Sequence, residues 1–271
     1  MRQPFTKRLN FLPVIVALLL ALAGCGSGNG RLLEESFEQL YTVEPNANIT
    51  IQNGDGAVLV YGSNVNEMRV QAVKRAYQRA RLKQIAIDVS TKPGSVSITT
   101  KFPPRSKWGL FDRSGTVDYT VVVPATANIL GLDLDAGEVL VDGMRGQTTR
   151  ARLGQGRMFA RNCFTNLDLA IWRGNLILSY DWWEKSTFTA QANLTQGNEW
   201  AYLPVGGAFH LLAQAAHGEI FNDFETHPVG ESAATRGTKV DALVNGGGEA
   251  TIKLRVTEGN IKIVEARPQA K

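Results

Sequence analysis

Cysteine is nearly absent from this chain. Its 271 residues hold two, Cys25 and Cys163, so once Cys25 is otherwise engaged no disulfide can form within the chain. Stability must come from an apolar core, and a chain of this length can bury one. Histidine is as scarce: His210, His217 and His227 are all there are, and none forms the i, i+4 pair of a helical metal site. Cys163 has no Cys or His at ligand spacing around it and reads as a small packed side chain at a strand end, not a reactive thiol. A Gly-rich phosphate loop, a nucleophile elbow and a Ser–His–Asp order are missing too. With no catalytic residue, metal or cofactor to assign, the chain is read as non-enzymatic. A long apolar span is also lacking. Phe11 to Ala23 is thirteen residues, interrupted by Pro13, and at ~1.5 Å per residue it cannot cross a hydrocarbon core of ~30 Å as a helix.

What is there begins with that short run. Arg2, Lys7 and Arg8 precede it, and Leu22-Ala23-Gly24-Cys25 closes it. Basic start, apolar middle and small residues before a cut site make a signal peptide. A cysteine directly after them resembles the lipobox of bacterial lipoproteins. The resemblance implies cleavage between Gly24 and Cys25, a diacylglyceryl thioether on Cys25, and an acylated amine. The alternative is an ordinary secretory signal, whose sites favour Ala-x-Ala. Two or three acyl chains anchor a protein to a membrane effectively permanently. Gly26-Ser27-Gly28-Asn29-Gly30 would act as a flexible tether. Gly26 is not aspartate, which by the same resemblance implies the outer membrane of a Gram-negative cell. The expected organisation is a signal peptide over 1–24, a lipidated cysteine and tether over 25–34, and one domain over 35–266.

The charge balance changes with that leader. The chain has 29 Lys+Arg against 25 Asp+Glu, and a pI near 9.1. Losing Arg2, Lys7 and Arg8 leaves 26 basic residues, a formal charge of +1. The apparent basicity belongs to the signal peptide and gives no reason to expect nucleic acid as a partner.

Glycines recur ahead of alternating apolar residues. Gly137, Gly174, Gly218 and Gly259 each open such a stretch, and Gly156 and Gly197 fit between them. From 137 the steps are 19, 18, 23 and 21 residues to 218, and a further 41 lead to 259, read as two more periods. Positions five and three before each glycine, and two and four after it, tend to be apolar. Around Gly137 these are Leu132, Leu134, Val139 and Val141; around Gly174, Leu169, Ile171, Leu176 and Leu178; around Gly259, Leu254, Val256, Ile261 and Ile263. Gly197 is the weakest case, because Glu199 falls on an inward site. Alternation marks half-buried strands on each side of a glycine bend. One such unit cannot bury its apolar face alone, whereas stacked units share a core. The expectation is an all-β fold, a β-solenoid or β-helix-like stack of coils of about 20 residues. A β-sandwich of hairpins is the alternative, since a glycine turn serves both.

The amino-terminal part is less regular. Ile49 to Ile51, Val58 to Val60, Met68 to Val73, Ile85 to Val89, Val96 to Ile98 and Val117 to Val123 read as strands. Asn53-Gly54-Asp55-Gly56 carries a hairpin turn signal. Lys74 to Lys83 reads as a short helix or an extended basic edge, and Pro103 to Ser114 as a loop holding Trp108 and Phe111.

On these residues the chain resembles the putative-adhesin β-strand-repeat family, a domain of unknown function common in bacterial envelope proteins. The resemblance runs from Phe37 and Val43 through Asn48-Ile49-Thr50-Ile51, Gly54-Asp55-Gly56-Ala57-Val58, Tyr61-Gly62 and Val70-Ala72-Lys74. It continues in Val117 to Pro124 and in the Gly-Glu-Val-Leu-Val repeat, and covers roughly residues 35 to 265. It implies an adhesin-like module and supplies no catalytic residues.

Two features are candidate binding residues. Lys74, Arg75, Arg79, Arg81 and Lys83 put five positive charges within ten residues, suited to an anionic lipid surface or another polyanion. Equally, they suit an edge strand whose charges discourage pairing. Trp182 and Trp183, near Tyr180, Trp172 and Trp200, could stack on sugar rings or a partner protein. Alternation sends Trp182 and Trp183 to opposite faces, so at least one should be packing. Asp133, Asp135, Glu138 and Asp142 surround one bend and read as a solvated face, since the calcium β-roll repeat is absent. Asp168 with Arg173, or Asp181 with Glu184, are the pairs a carbohydrate-active enzyme would use. The expected function is a lipid-anchored envelope protein with a non-enzymatic binding module, its partner an envelope protein or polysaccharide. The alternatives are a carbohydrate-active β-helix enzyme and a structural lipoprotein, the latter assembling end to end through an uncovered last coil near Ile261 to Val264.

Overall fold

A computed structural model describes residues 32–104, 115–224, 226–228 and 236–266. The signal peptide, Cys25 and the glycine tether lie outside the described residues, as do Trp108, Phe111 and the side chain of His227.

The fold is all-β. The first strands are β1 (Leu33–Thr42), β2 (Asn48–Ser63) and β3 (Glu67–Ala76), and one short helix, α1 (Arg79–Gln84), follows. Next come β4 (Ala86–Lys92), β5 (Ser95–Lys101), β6 (Thr116–Pro124), β7 (Asn128–Asp142), β8 (Thr148–Arg161), β9 (Asn166–Ser179) and β10 (Thr189–Pro204). The last are β11 (Phe209–His217), β12 (Ile220–Asn222), β13 (Thr226–Pro228), β14 (Arg236–Gly237), β15 (Lys239–Val244), β16 (Thr251–Glu258) and β17 (Ile261–Ala266).

Strands β2, β7, β8, β9 and β10 pair in parallel, each in register with the next. Their glycines stack: Gly56 on Gly137, then Gly156, Gly174 and Gly197. Each has φ between +125° and +138°. A methyl on Gly156 would stand 1.8 Å from the carbonyl oxygen of Gly137. No residue with a Cβ fits there, so the bend needs glycine twice over: for its φ and for the neighbouring backbone.

The inward positions are those that the alternation picks out. Leu132, Leu134, Val139 and Val141 are buried, as are Leu169, Ile171, Leu176 and Leu178, and Leu254, Val256, Ile261 and Ile263. Each full burial of such a side chain is worth roughly 1.5–3 kcal/mol. One inward site is anomalous. Glu199 occupies it, 0% exposed, with no hydrogen-bond partner for either carboxyl oxygen among the described residues.

Two expectations about order need correction. The 41-residue interval from Gly218 to Gly259 is not two further steps along the stack. β16 and β17 pair in parallel with β10 on one side and with β11 and β12 on the other. The glycine column therefore runs Gly197, Gly259, Gly218. Ile261 to Val264 lie inside the stack and are not an uncovered last coil. Beyond β11 and β12 come β15 and β14, antiparallel.

Asn53 to Gly56, for its part, does not turn a hairpin. β2 runs through it unbroken, and Gly56 takes its place in the glycine column. The other end mirrors the first. β2 pairs with β7 on one side and with β5 and β6 on the other, and so sits between segments that are consecutive in sequence. β4 and β3 then cover β5 and β6 antiparallel, and β1 pairs with β3.

Candidate interaction surface

The stack has two outer faces with different chemistry. Before the glycine column the outward row is mostly polar: Gln52, Asp133, Arg152, Asn193 and Arg255 stand in register with Ala170 among them, and Trp172 is exposed two residues before Gly174. After it, the third residue past each glycine also points outward, yet Leu59, Leu140, Phe159, Ile177 and Trp200 occupy these sites in succession. All five are half-buried. Adjacent strands lie ~4.8 Å apart, so this apolar ladder is about 19 Å long. Tyr61 and Tyr202 stand two residues further on at its ends, with Asp142, Arg161 and Ser179 between them. Arg161 binds Asp142 at 2.5 Å, and Arg157 binds Glu138 at 2.7 Å on the ladder's other flank. An open groove runs along the ladder between Glu138 and Tyr202. The arrangement is a continuous apolar strip with a polar, charge-paired rim, the anatomy of a protein interface.

The sequence reading missed this ladder, although the apolar third position past the glycine recurs in five strands. It is overlooked when alternation alone is followed, because alternation assigns that position to solvent.

The basic run is divided by the fold. Lys74 and Arg75 lie on β3, which pairs on both sides with β1 and β6 and so is not an edge. Lys74 Nζ is 2.6 Å from Glu35 and Arg75 Nε is 2.8 Å from Glu34, both on β1, while Arg75 also binds Asp118. Arg79 and Lys83 are exposed on α1, and Arg81 donates to the Pro104 carbonyl at 2.9 Å. The five charges thus do not form one free patch.

Trp182 and Trp183 fall in the connection between β9 and β10, outside any strand, so alternation does not govern them. Trp183 is half-buried and packs against the core, with ring centroids 5.1 Å from Phe209, 5.5 Å from Tyr180 and 5.8 Å from Phe188. Trp182 is 45% exposed, and its indole N–H donates to Glu184 at 2.7 Å. Trp172 is exposed on β9 and Trp200 belongs to the ladder. Tyr180 is buried and donates to the Cys163 carbonyl at 2.9 Å.

The other candidates stay apart. His210 meets Asp241 at 2.7 Å across β11 and β15, and His217 is exposed. Among the described residues no three His, Cys, Asp or Glu side chains are grouped to hold a metal. Glu138 and Asp142 are ion-paired as above. Asp181 accepts from Asn162 at 2.9 Å and Glu184 is held by Arg145. Cys163 is fully buried, and that burial pushes its thiol pKa up to about 12.

No protein-family model matches the chain, and no curated protein matches it. Solved structures do. A structure described as a putative cell adhesion protein from Clostridium sporogenes superposes with a TM-score of 0.54 at 13% identity, over 86% of this chain and 100% of that one. A putative adhesin from Bacteroides fragilis gives a TM-score of 0.32 at 11% identity, over 85% of this chain and 97% of that one. At such identities the likeness is one of fold, and it is the Clostridium sporogenes protein whose all-β architecture this chain shares.

Proposed function

We propose that this chain is a lipid-anchored envelope protein whose domain is a β-solenoid and whose work is binding, not catalysis. The anchor is Cys25, exposed as the first mature residue by cleavage after Gly24, and the expected site is the outer membrane. In-register parallel pairing from β2 to β10 supports the solenoid reading over a sandwich of hairpins. The fold shared with a putative cell adhesion protein is in keeping with a non-enzymatic role.

The observation that carries the binding role is the outward apolar ladder from Leu59 to Trp200. Five successive strands place an apolar side chain on a solvent-facing site. Water-exposed apolar strips of this extent are retained where another surface covers them. The partner class is an envelope protein.

The test is site-specific photo-crosslinking in intact cells, with the photoreactive residue at Tyr202 in one variant and at Arg152 on the polar face in another. One defined protein adduct from position 202, lost with Phe159→Glu, is expected, with none from position 152. Equal adducts from both faces would refute the assignment. Release of a Cys25→Ala variant from the membrane fraction tests the anchor separately.

A further inference from the structure

The turns that follow β7, β8 and β9 bring four side chains into a closed cycle away from the apolar ladder. Arg145 grips both oxygens of Glu184, the Nη2 contact being 2.8 Å. Glu184 Oε1 accepts the indole N–H of Trp182 at 2.7 Å. The Trp182 ring centroid is 6.0 Å from that of Phe164, and the Arg145 guanidinium carbon lies 5.1 Å from the Phe164 centroid. The Arg145 hydrogen bonds hold the Glu184 carboxyl below its usual range, so the clamp is charged at neutral pH.

Such a clamp fixes the Trp182 ring but does not bury it: the residue remains 45% exposed. The ring instead lines an open groove together with Arg145, Ser63, Asn64, Asn66 and Thr126. The side chains of Ser63, Asn64 and Asn66 are exposed and make no hydrogen bond within the described residues. A rigid indole rimmed by unspent amides and a hydroxyl complements a ligand with one apolar face and a polar edge.

We propose that this groove is a carbohydrate-binding site, with a pyranose ring stacked on Trp182 and its hydroxyls met by Asn64, Asn66 and Ser63. A pyranose has such an amphipathic outline, its C–H groups on one face and hydroxyls around the rim. The site shares no residue with the apolar ladder and does not depend on the ladder's role.

The test uses the full-length chain in detergent and three probes, chitotetraose, cellotetraose and maltotetraose, at millimolar concentration. Saturation-transfer NMR reports contact with the sugar protons, and indole fluorescence gives the affinity. Binding of at least one probe is expected, weakened about tenfold or more by Trp182→Ala and less by Trp182→Phe. An Asn64→Ala, Asn66→Ala double variant leaves the aromatic clamp in place and should weaken binding several-fold. It answers the question even if Trp182→Ala fails to fold. Phe159→Glu should leave sugar binding unchanged. The proposal is overturned if none of the three probes shows transfer, or if binding survives undiminished in the Trp182 and Asn64, Asn66 variants. A protein adduct from a crosslinker at Asn64, with no sugar bound, would likewise overturn it.

Discussion

Replacing Glu199 with leucine should stabilise the fold, and by more as pH rises. Glu199 stands in register with Leu176 on one side and Ile261 on the other, in a column of inward apolar residues. It is 0% exposed, and its carboxyl oxygens have no hydrogen-bond partner among the described residues. Burial holds its pKa well above the ordinary 4.5, so the core accommodates the protonated acid. In the unfolded chain the same group ionises above about pH 4.3. Between that pH and the raised folded value, folding must take up a proton. Stability therefore falls by about 1.4 kcal/mol for each pH unit climbed. Below about pH 4.3 both states are protonated and that loss disappears. What persists is the burial of an unpaired neutral carboxyl, about 1–3 kcal/mol.

Glu199→Leu removes both costs, so it should gain about 1–3 kcal/mol at acid pH and more at neutral pH. Glu199→Gln removes only the pH-dependent part, because it leaves an unpaired polar group in the core. Urea unfolding of the three proteins from about pH 4 to about pH 8 measures both terms. A leucine variant less stable than the parent, or a gain that does not change with pH, would refute the reasoning.

Two further outcomes follow from the same core. Gly156→Ala should cost at least about 3 kcal/mol or prevent folding, since its φ is +135° and the added methyl would stand 1.8 Å from the Gly137 oxygen. Gly131→Ala, whose added methyl would meet only Asp133 Oδ2 at 3.8 Å, should be tolerated, and thermal denaturation of the pair separates the two cases. Cys163, with its pKa near 12, should resist maleimide at neutral pH, its thiolate fraction being about a thousandfold below that of an ordinary thiol. Its labelling, followed by mass spectrometry, should track urea-induced unfolding, and rapid modification of the folded chain would count against that burial.

Most of the stack was legible in the sequence, because its strongest constraint is local. A glycine with apolar residues at fixed offsets appears wherever a strand must bend over a shared core, and every inward residue assigned around Gly137, Gly174 and Gly259 is buried. What was not legible is which strands are neighbours. The offsets around Gly259 resemble those around Gly174, so nothing local says that this strand slips between β10 and β11. Asn53 to Gly56 misleads for a related reason: Asn-Gly favours a tight turn, but the backbone that a side chain on Gly56 would strike is the Val117 carbonyl, 61 residues away. The basic run looked free because its partners, Glu34 and Glu35, lie on a strand 40 residues earlier. For the Trp182 clamp, the sequence offers the tryptophan but not Arg145, which only the stacking of turns brings within reach.

The interlocked ends set how such a domain can change size. Its first long strand and its last strand pair are already enclosed, each wedged between segments that are consecutive in sequence. Residues appended at either terminus therefore meet no open glycine column to join. A duplicated segment of about 19 residues between β7 and β9 would meet one, adding ~4.8 Å to the stack and one more apolar step to its outer face. Reach and contact area would then grow together, from the middle of the gene, while both locked ends stayed as they are.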